Sequence, residues 1–375
     1  MSGYFLYHSI GTFPGKAEAL RGALGRFADD WSAENDAQWP TMLSLRARFI
    51  ETWAGLIDAP AGSLTTTESV TAGLYALIGA LPRERLAGRR VLVAADGFPS
   101  LHFLLQGLAP RFGFTLDTVP LRPGERWVRD EDMLAAWGPD VGLALLTFVT
   151  STASHRCDMG ALAAHGREMG SLTVADVTQG IGIRPFSVAD GAIDAVVSTS
   201  LKWLCGVSGA GVLQVRPDLL ATCRPEFRGW FSQENPFSWD LDAFRFAPDA
   251  RRFDQGTPSI LPAAGSLPGL DHIRSLGLRT VAAQNARLTE RIVAMADEAG
   301  LPLASPREAD RRGGSVMLNL GDAAAGLVGP LRARGLFCDA RGPVLRLSPG
   351  LVTQEADVDR LFSAFEDLGA RRAAA

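Results

Sequence analysis

The stretch LTVADVTQGIGIRPFSVADGAIDAVVSTSLKW, residues 172–203, holds two apolar runs, each closing near a residue that can carry charge. The first, 172–177, contains Asp176, and the second, 195–199, leads into Lys202. Short unbroken apolar runs read as strands covered on both faces, the pattern of a parallel sheet. Open α/β sheets bind ligands just outside the C-terminal ends of such strands. Alone, Asp176 reads as a helix cap or a core-edge ion pair, and Lys202 as a solvated strand end. The two at the ends of successive strands call for a joint reading.

Outward from this stretch the same alternation continues. Strand-like runs lie at 91–95, 115–121, 141–149 and 211–215, with helical patterns at 70–81, 101–112 and 161–169. Strands alternating with helices predict an α/β fold with a mainly parallel sheet. Upstream, residues 2–15 are irregular, and helices are expected at 16–31 and 43–56. Beyond residue 217 the alternation stops and 224–260 is irregular. Two helices, 259–276 and 278–299, then introduce an α+β region with strands at 315–319 and 344–347 and a helix at 355–368. The tail 370–375 is expected to fray. The length of 375 residues supports one large domain and a smaller one. The expected division is an N-terminal segment, 1–45, packing on the active site and small domain, then a large domain, 46–258, then a small C-terminal domain, 259–375.

A net charge of −4 with no basic block argues against a nucleic-acid partner. The longest apolar run, 141–149, is too short to span a bilayer. Residues 1–16 lack the basic head and apolar core of a secretory signal. Cysteines 157, 205, 223 and 338 show no CxxC spacing, which fits a reducing cytoplasm. Histidines 8, 102, 155, 165 and 272 show no metal-ligand spacing, so no metal is expected. Residues 11–16, GTFPGK, are one residue short of a P-loop, and 206–211 is not a dinucleotide-binding glycine pattern.

A carboxylate able to hold a pyridinium, followed by a lysine able to form a Schiff base, is what pyridoxal-phosphate chemistry requires. The lysine must lose its proton, and lysine shifts its pKa readily when buried. Trp203, Leu204 and Val207 are placed to desolvate it. Residues 64–69, LTTTES, precede the helical run from Val70. Small hydroxyl residues at a helix N-terminus make an anion site for a phosphate, with Thr66 and Thr67 as ligands. Thr65 and Glu68 also fit a capping box, and both readings stand. Phe98, after a strand, either stacks on a cofactor ring or fills the core. His102 either lines the pocket or faces away on its helix.

At this point the chain resembles fold-type I pyridoxal-phosphate enzymes of the class V aminotransferase superfamily, and kynureninases within it. Tyr7-His-Ser9-Ile-Gly11-Thr-Phe-Pro14 resembles their N-S-L-G-x-x-P start, and Phe98-Pro-Ser their F-P-T-D loop. Gly229-Trp230-Phe231 resembles G-W-W-G-H, residues 252–258 resemble R-F-x-x-G-T-P-P, and Arg346 stands in an R-x-A-P-like element. The resemblance implies an aspartate aminotransferase-like large domain with a smaller C-terminal α+β domain, and pyridoxal 5'-phosphate as cofactor. It implies Lys202 and Asp176 as catalytic residues. It implies Thr66, Thr67, Phe98, Asp176, Gln179, Ser200, Lys202, Trp230 and Thr257 around the cofactor. Arg346, with His8 and Ser9, would meet the substrate, the guanidinium fork of Arg346 holding its carboxylate. Trp230 and Thr257 would reach the phosphate, at least one from a partner subunit, so a homodimer with shared active sites is implied.

The departures are Leu101 for the aspartate of F-P-T-D, Gln179 for a histidine, Leu201 for the tyrosine before the lysine, and Gln233 for the last histidine of G-W-W-G-H. The implied activity is that of a lyase or hydrolase on a small L-amino acid. The same scaffold also serves transaminases, epimerases, cysteine desulfurases or C–S lyases, and decarboxylating or oxidative deaminases. Cys338 precedes Arg346 by eight residues, as a desulfurase nucleophile does, or is simply a small buried residue.

Overall fold

The computed structural model describes residues 2–370. The tail 371–375 lies outside the described residues, so the expectation of fraying does too. A short strand, β1 (Gly3–Tyr4), precedes helices α1 (Lys16–Trp31) and α2 (Gln38–Leu56). The alternation then runs β2 (Leu64–Thr67), α3 (Val70–Ile78), β3 (Arg90–Ala94), α4 (Pro99–Phe112), β4 (Thr115–Val119), α5 (Asp130–Ala136), β5 (Val141–Thr147), α6 (Met159–Met169), β6 (Leu172–Asp176), β7 (Ala195–Thr199) and β8 (Gly211–Val215). After α7 (Pro217–Thr222) and an irregular stretch come α8 (Leu261–Leu276) and α9 (Leu278–Glu298). The last part holds β9 (Val316–Asn319), α10 (Ala323–Ala333), β10 (Leu336–Phe337), β11 (Asp339–Arg341), β12 (Val344–Leu347) and α11 (Glu355–Asp367). Among the described residues no helix is long and apolar enough to cross a membrane.

Seven strands form the central sheet in the order β2-β8-β7-β6-β5-β3-β4. The run from β7 to β4 is parallel, as the alternation predicts. β8 departs: it lies antiparallel to both β7 and β2. The reason is the connection. Parallel neighbours need a long crossover, whereas residues 200–210 return from β7 to β8 without a helix. Lys202 sits in that return loop. Every residue of β6, β7 and β8 is buried, hence their largely apolar sequences. Successive side chains serve opposite faces. Val196 joins a core with Phe49 and Trp53 of α2, while Val197 joins one with Leu74 of α3 and Leu105 of α4. A third core packs α9 and α11 on the antiparallel sheet β11-β12-β9.

The helices α5, α7 and α10 escape the sequence reading. The first two are too short to display a 3.6-residue period, and α10 carries Pro330 in its interior.

The N-terminal segment straps these parts together. β1 pairs with β10, and Leu6 bridges Ser348. The chain then crosses the Lys202 loop: the Gly11 N–H donates to the Leu201 carbonyl at 2.9 Å. Lys16 Nζ donates to the carbonyls of Gly11 at 2.7 Å and Gly206 at 3.1 Å. The approach is so close that a Cβ on residue 11 would lie 1.7 Å from the Lys202 carbonyl oxygen. Gly11→Ala is therefore expected to destabilise the protein by about 2–3 kcal/mol, the scale of overpacking a filled site. Urea denaturation checks this; unchanged stability would show that the strap does not close on the loop.

Candidate active site

β6 and β7 are adjacent and parallel, with Asp176 opposite Val197. Asp176 thus ends one strand beside the loop that carries Lys202. Both line a cavity of about 340 Å³, together with Thr147 at the end of β5 and Phe98 at the start of α4. Lys202 Nζ lies 5.3 Å from the Phe98 ring centroid. Asp176 is buried, and its Oδ1 accepts the Thr178 N–H at 3.0 Å. Burial pushes its pKa up, against the pull of Thr178 and of the Lys202 charge. Burial pushes the Lys202 amine down; Asp176 opposes that, while Arg346 and Arg341 add to it.

The N-terminus of α3 faces the same cavity. Ser69 caps it by accepting the Ala72 N–H at 3.1 Å, so the cap is Ser69 and not a Thr65–Glu68 box. Glu68, Ser69, Val70 and Thr71 line one wall, and Thr199, Ser208 and Gly209 face them. Backbone N–H groups at a helix start favour an anion. The expected ligands Thr66 and Thr67 turn elsewhere. Thr66 Oγ1 accepts from Arg46 Nε at 3.0 Å, and Thr67 Oγ1 donates to the Ser69 carbonyl at 3.1 Å. A buried pair explains this: Arg46 bonds Asp254 at 2.7 Å and also donates to Thr65, so the threonine hydroxyls satisfy an arginine fork. Thr66 and Thr67 line an adjoining cavity of about 520 Å³ that meets the first at Glu68 and Gly209. Thr257 lines this second cavity. Trp230 lines neither; it packs edge-on against Phe231, 4.4 Å between centroids.

Two more expected residues prove to brace the site. Ser200 is fully buried, accepting from Trp53 Nε1 at 2.9 Å and donating to the Ala210 carbonyl at 3.1 Å. Its neighbours Thr199 and Leu201 face the cavity instead. Gln179 lines the cavity, but its amide joins the strap to the Lys202 loop. Nε2 donates to the His8 carbonyl at 3.0 Å, and Oε1 accepts from Trp203 Nε1 at 3.1 Å.

On the substrate side Arg346 lies on β12, 7% exposed. Its Nε donates to Asp339 Oδ1 at 2.8 Å and its Nη2 to Asp339 Oδ2, a bidentate pair across the β11–β12 ladder. His8 Nε2 stands 3.1 Å from Asp339 Oδ1, and its Nδ1 bonds Ser348 Oγ at 2.7 Å. Burial pushes the Asp339 carboxyl up, but the contacts with His8 and Arg346 outweigh it and hold the carboxyl below the usual carboxylate range. The structure thus joins His8 and Arg346 through a residue that sequence reasoning missed. The Gly342-Pro343 turn signal was available: a hairpin there sets Asp339 opposite Arg346. Ser9 is exposed in the turn beside them. A further cavity of about 270 Å³ is lined by Arg346, Arg341, Arg126, Thr152 and Asp96.

Other candidates fall outside. His102 Nε2 lies 3.1 Å from Thr118 Oγ1 of β4 and does not line the Lys202 cavity, and Leu101 is core. Cys338 is 3% exposed, its thiol pushed up to about 12 by burial and then by Asp339. Burial of this kind disfavours the thiolate, the form that acts as a nucleophile.

A family model described as Aminotransferase class-V matches residues 48–361. The kynureninase of Salinispora tropica is 28% identical over 313 residues, covering 79% of this chain and 73% of that protein. The isopenicillin N epimerase of Streptomyces clavuligerus is 27% identical over 337 residues, covering 85% of this chain and 83% of that protein. Among solved structures, an apo cysteine desulfurase from Thermococcus onnurineus aligns with a TM-score of 0.87 at 19% identity, over 98% of this chain and 94% of that one. A cystine C–S lyase bound to its product cysteine persulfide aligns at 0.86 and 19% identity, over 98% and 97%. These likenesses are in fold.

The residues present fit pyridoxal 5'-phosphate piece by piece. Lys202 suits its aldehyde, the buried Asp176 carboxylate its ring nitrogen, Phe98 its ring face and the α3 N-terminus its phosphate. The cavity is also of the size that small cofactors occupy, about 300 Å³ and above.

Two outcomes follow from this geometry. Borohydride reduction of the loaded protein is expected to fix the cofactor on the Lys202 peptide; a mass shift on another lysine, or on Lys202→Ala, contradicts the assignment. The second concerns Asp96, which is buried with its Oδ2 accepting the Val128 N–H at 3.2 Å, and whose carboxyl burial pushes up to about 6. The folded state then holds this proton more tightly than the unfolded chain, so the group's contribution to stability falls as pH rises from the ordinary carboxylate range through about 6. Asp96→Asn is expected to gain on the order of 2 kcal/mol at neutral pH and little near pH 4, read by denaturation at both.

Proposed function

Because this chain belongs to the aminotransferase class-V family and works with pyridoxal 5'-phosphate, we propose that it is a kynureninase-like lyase or hydrolase acting on an L-amino acid. The observation that carries the reading is the single cavity joining Lys202, Asp176, Phe98 and the N-terminus of α3. When bound, the cofactor supplies an aldehyde and a ring that draws negative charge from the carbon bearing the substrate's amine. The chain's own groups do the rest. Lys202 Nζ, its charged form disfavoured by burial and two arginines, is the base that takes the substrate's α-proton and returns it. The Asp176 carboxylate holds the proton on the ring nitrogen. Phe98 covers the ring face, and the α3 amides hold the phosphate. Arg346, with His8 and Ser9 near it, orients the substrate's carboxylate. In the same reading the enzyme is a homodimer with shared active sites, and Trp230 and Thr257 serve the phosphate end, at least one of them from the other copy.

An epimerase is the second reading, and particular residues favour it. Leu101 is core where kynureninases carry an aspartate, and Gln179 is committed to the His8 carbonyl and Trp203. A relative named isopenicillin N epimerase matches about as well as the kynureninases.

The test is L-kynurenine given to the loaded enzyme in heavy water, with products identified by mass. Anthranilate and alanine are expected, at a rate lowered by about 10²-fold or more in Lys202→Ala. Recovery of the intact amino acid, deuterated and inverted at Cα, would replace the hydrolase reading with the epimerase one.

A further inference from the structure

β6 ends at Asp176, and the chain turns at once through Thr178, Gln179 and Gly180. The Thr178 N–H donates back to Asp176 Oδ1 at 3.0 Å, a turn that aspartate favours. The turn is locked in place. The N–H groups of Gly180 and Ile181 donate to the Val177 carbonyl at 3.0 and 2.9 Å, and a Cβ on residue 180 would lie 2.4 Å from the Phe148 ring. Val177 is core, and Gln179 is taken by the His8 carbonyl and Trp203.

Thr178 is the exception. It lines the Lys202 cavity and is 6% exposed, yet its Oγ1 has no hydrogen-bond partner. Among the described residues that line this cavity, it is the one buried side-chain oxygen or nitrogen left so. A buried hydroxyl without a partner destabilises a fold, and valine fills the same shape without one. The hydroxyl stands near the Asp176 carboxyl. Burial pushes that carboxyl up, and the Thr178 hydroxyl is the first group to oppose the rise, ahead of the Thr178 N–H and the Lys202 charge. The other titratable groups of the cavity are Lys202 and Glu68. A hydrogen bond donated to a carboxylate favours its charged form.

We propose that Thr178 is a positioning residue for Asp176, its N–H and its hydroxyl forming a two-point hold that keeps a carboxylate ion against the cofactor's ring nitrogen. The N–H fixes how the carboxylate is turned. The hydroxyl favours it as the ion, so the proton between the two groups stays on the ring. The inference rests on the assignment of Asp176 to that nitrogen.

The experiment loads the protein with pyridoxal 5'-phosphate carrying a heavy-nitrogen label in its ring. It reads that nitrogen by NMR at neutral pH, and cofactor affinity by dialysis. In the parent the resonance is expected at the protonated position. Thr178→Val and Thr178→Ala remove the hydroxyl and leave the N–H. In both, the ratio of protonated to neutral ring, and the affinity, are expected to fall by roughly tenfold or more, the low end of a hydrogen bond to a charged group. Thr178→Ser keeps a hydroxyl and should restore both. No variant changes a titratable group, so Lys202 and Glu68 are common to all. If resonance and affinity both stay at the parent values in Thr178→Val and Thr178→Ala, the inference is overturned. It is overturned as well if Thr178→Ser behaves like those two, since shape and not the hydroxyl is then the cause. A parent whose ring nitrogen is already neutral overturns the Asp176 assignment itself, and the inference with it.

Discussion

The hydrogen bond from the Gly11 N–H to the Leu201 carbonyl ties the first residues of the chain to the loop that carries Lys202. The site depends on that closure. On one side of it, β1 and Leu6 anchor the strap to the C-terminal sheet, and His8 reaches Asp339. On the other, Lys16 grips the carbonyls of Gly11 and Gly206. The Lys202 loop is itself strained: Cys205 holds φ at 57°, a left-handed conformation costing about 1–2 kcal/mol in a non-glycine residue. Cys205 Sγ contacts the Thr12 carbonyl at 3.3 Å, so the strap also bears on the strained residue. A lysine in a loop free to move would not keep its amine near Phe98 in the cavity it shares with Asp176.

Burial acts on the two central groups in opposite senses. It pushes Asp176 toward the neutral acid and Lys202 toward the neutral amine, and each opposes the other's shift. The arginines at β11 and β12 help the lysine lose its proton from outside the cavity. A shifted pKa does not by itself mark a site. His155 is pushed down to about 4 by burial, yet it stacks on Trp127 and contacts Arg311, which pairs with Asp130. That cluster holds loops together, and none of its members lines the Lys202 cavity. What separates the two cases is the cavity and the helix N-terminus beside Lys202.

The positions filled by brace residues show how specificity and scaffold part company. Gln179, Leu201 and Ser200 surround the lysine, but Gln179 and Ser200 spend their polar atoms on the protein itself. The scaffold is that of the class V family, while the residues beside the reacting atoms are this chain's own.

The alternation of apolar runs with helical patterns determined the α/β sheet, and Asp176 and Lys202 at strand ends determined the cofactor. Both signals are local, since burial on two faces forces unbroken apolar strands and the chemistry needs particular side chains at their ends. Departures such as Leu101 were equally legible, because a residue type is read directly. Tertiary structure alone decided where the hydroxyls of Thr65 and Thr66 go, because Arg46 and Asp254, far apart in sequence, meet beside them. It alone decided that β8 reverses direction, that Ser69 caps α3, and that Asp339 closes the fork of Arg346. Hydrogen-bond partners across a fold are chosen by which surfaces pack together, and one-dimensional pattern carries no record of that choice.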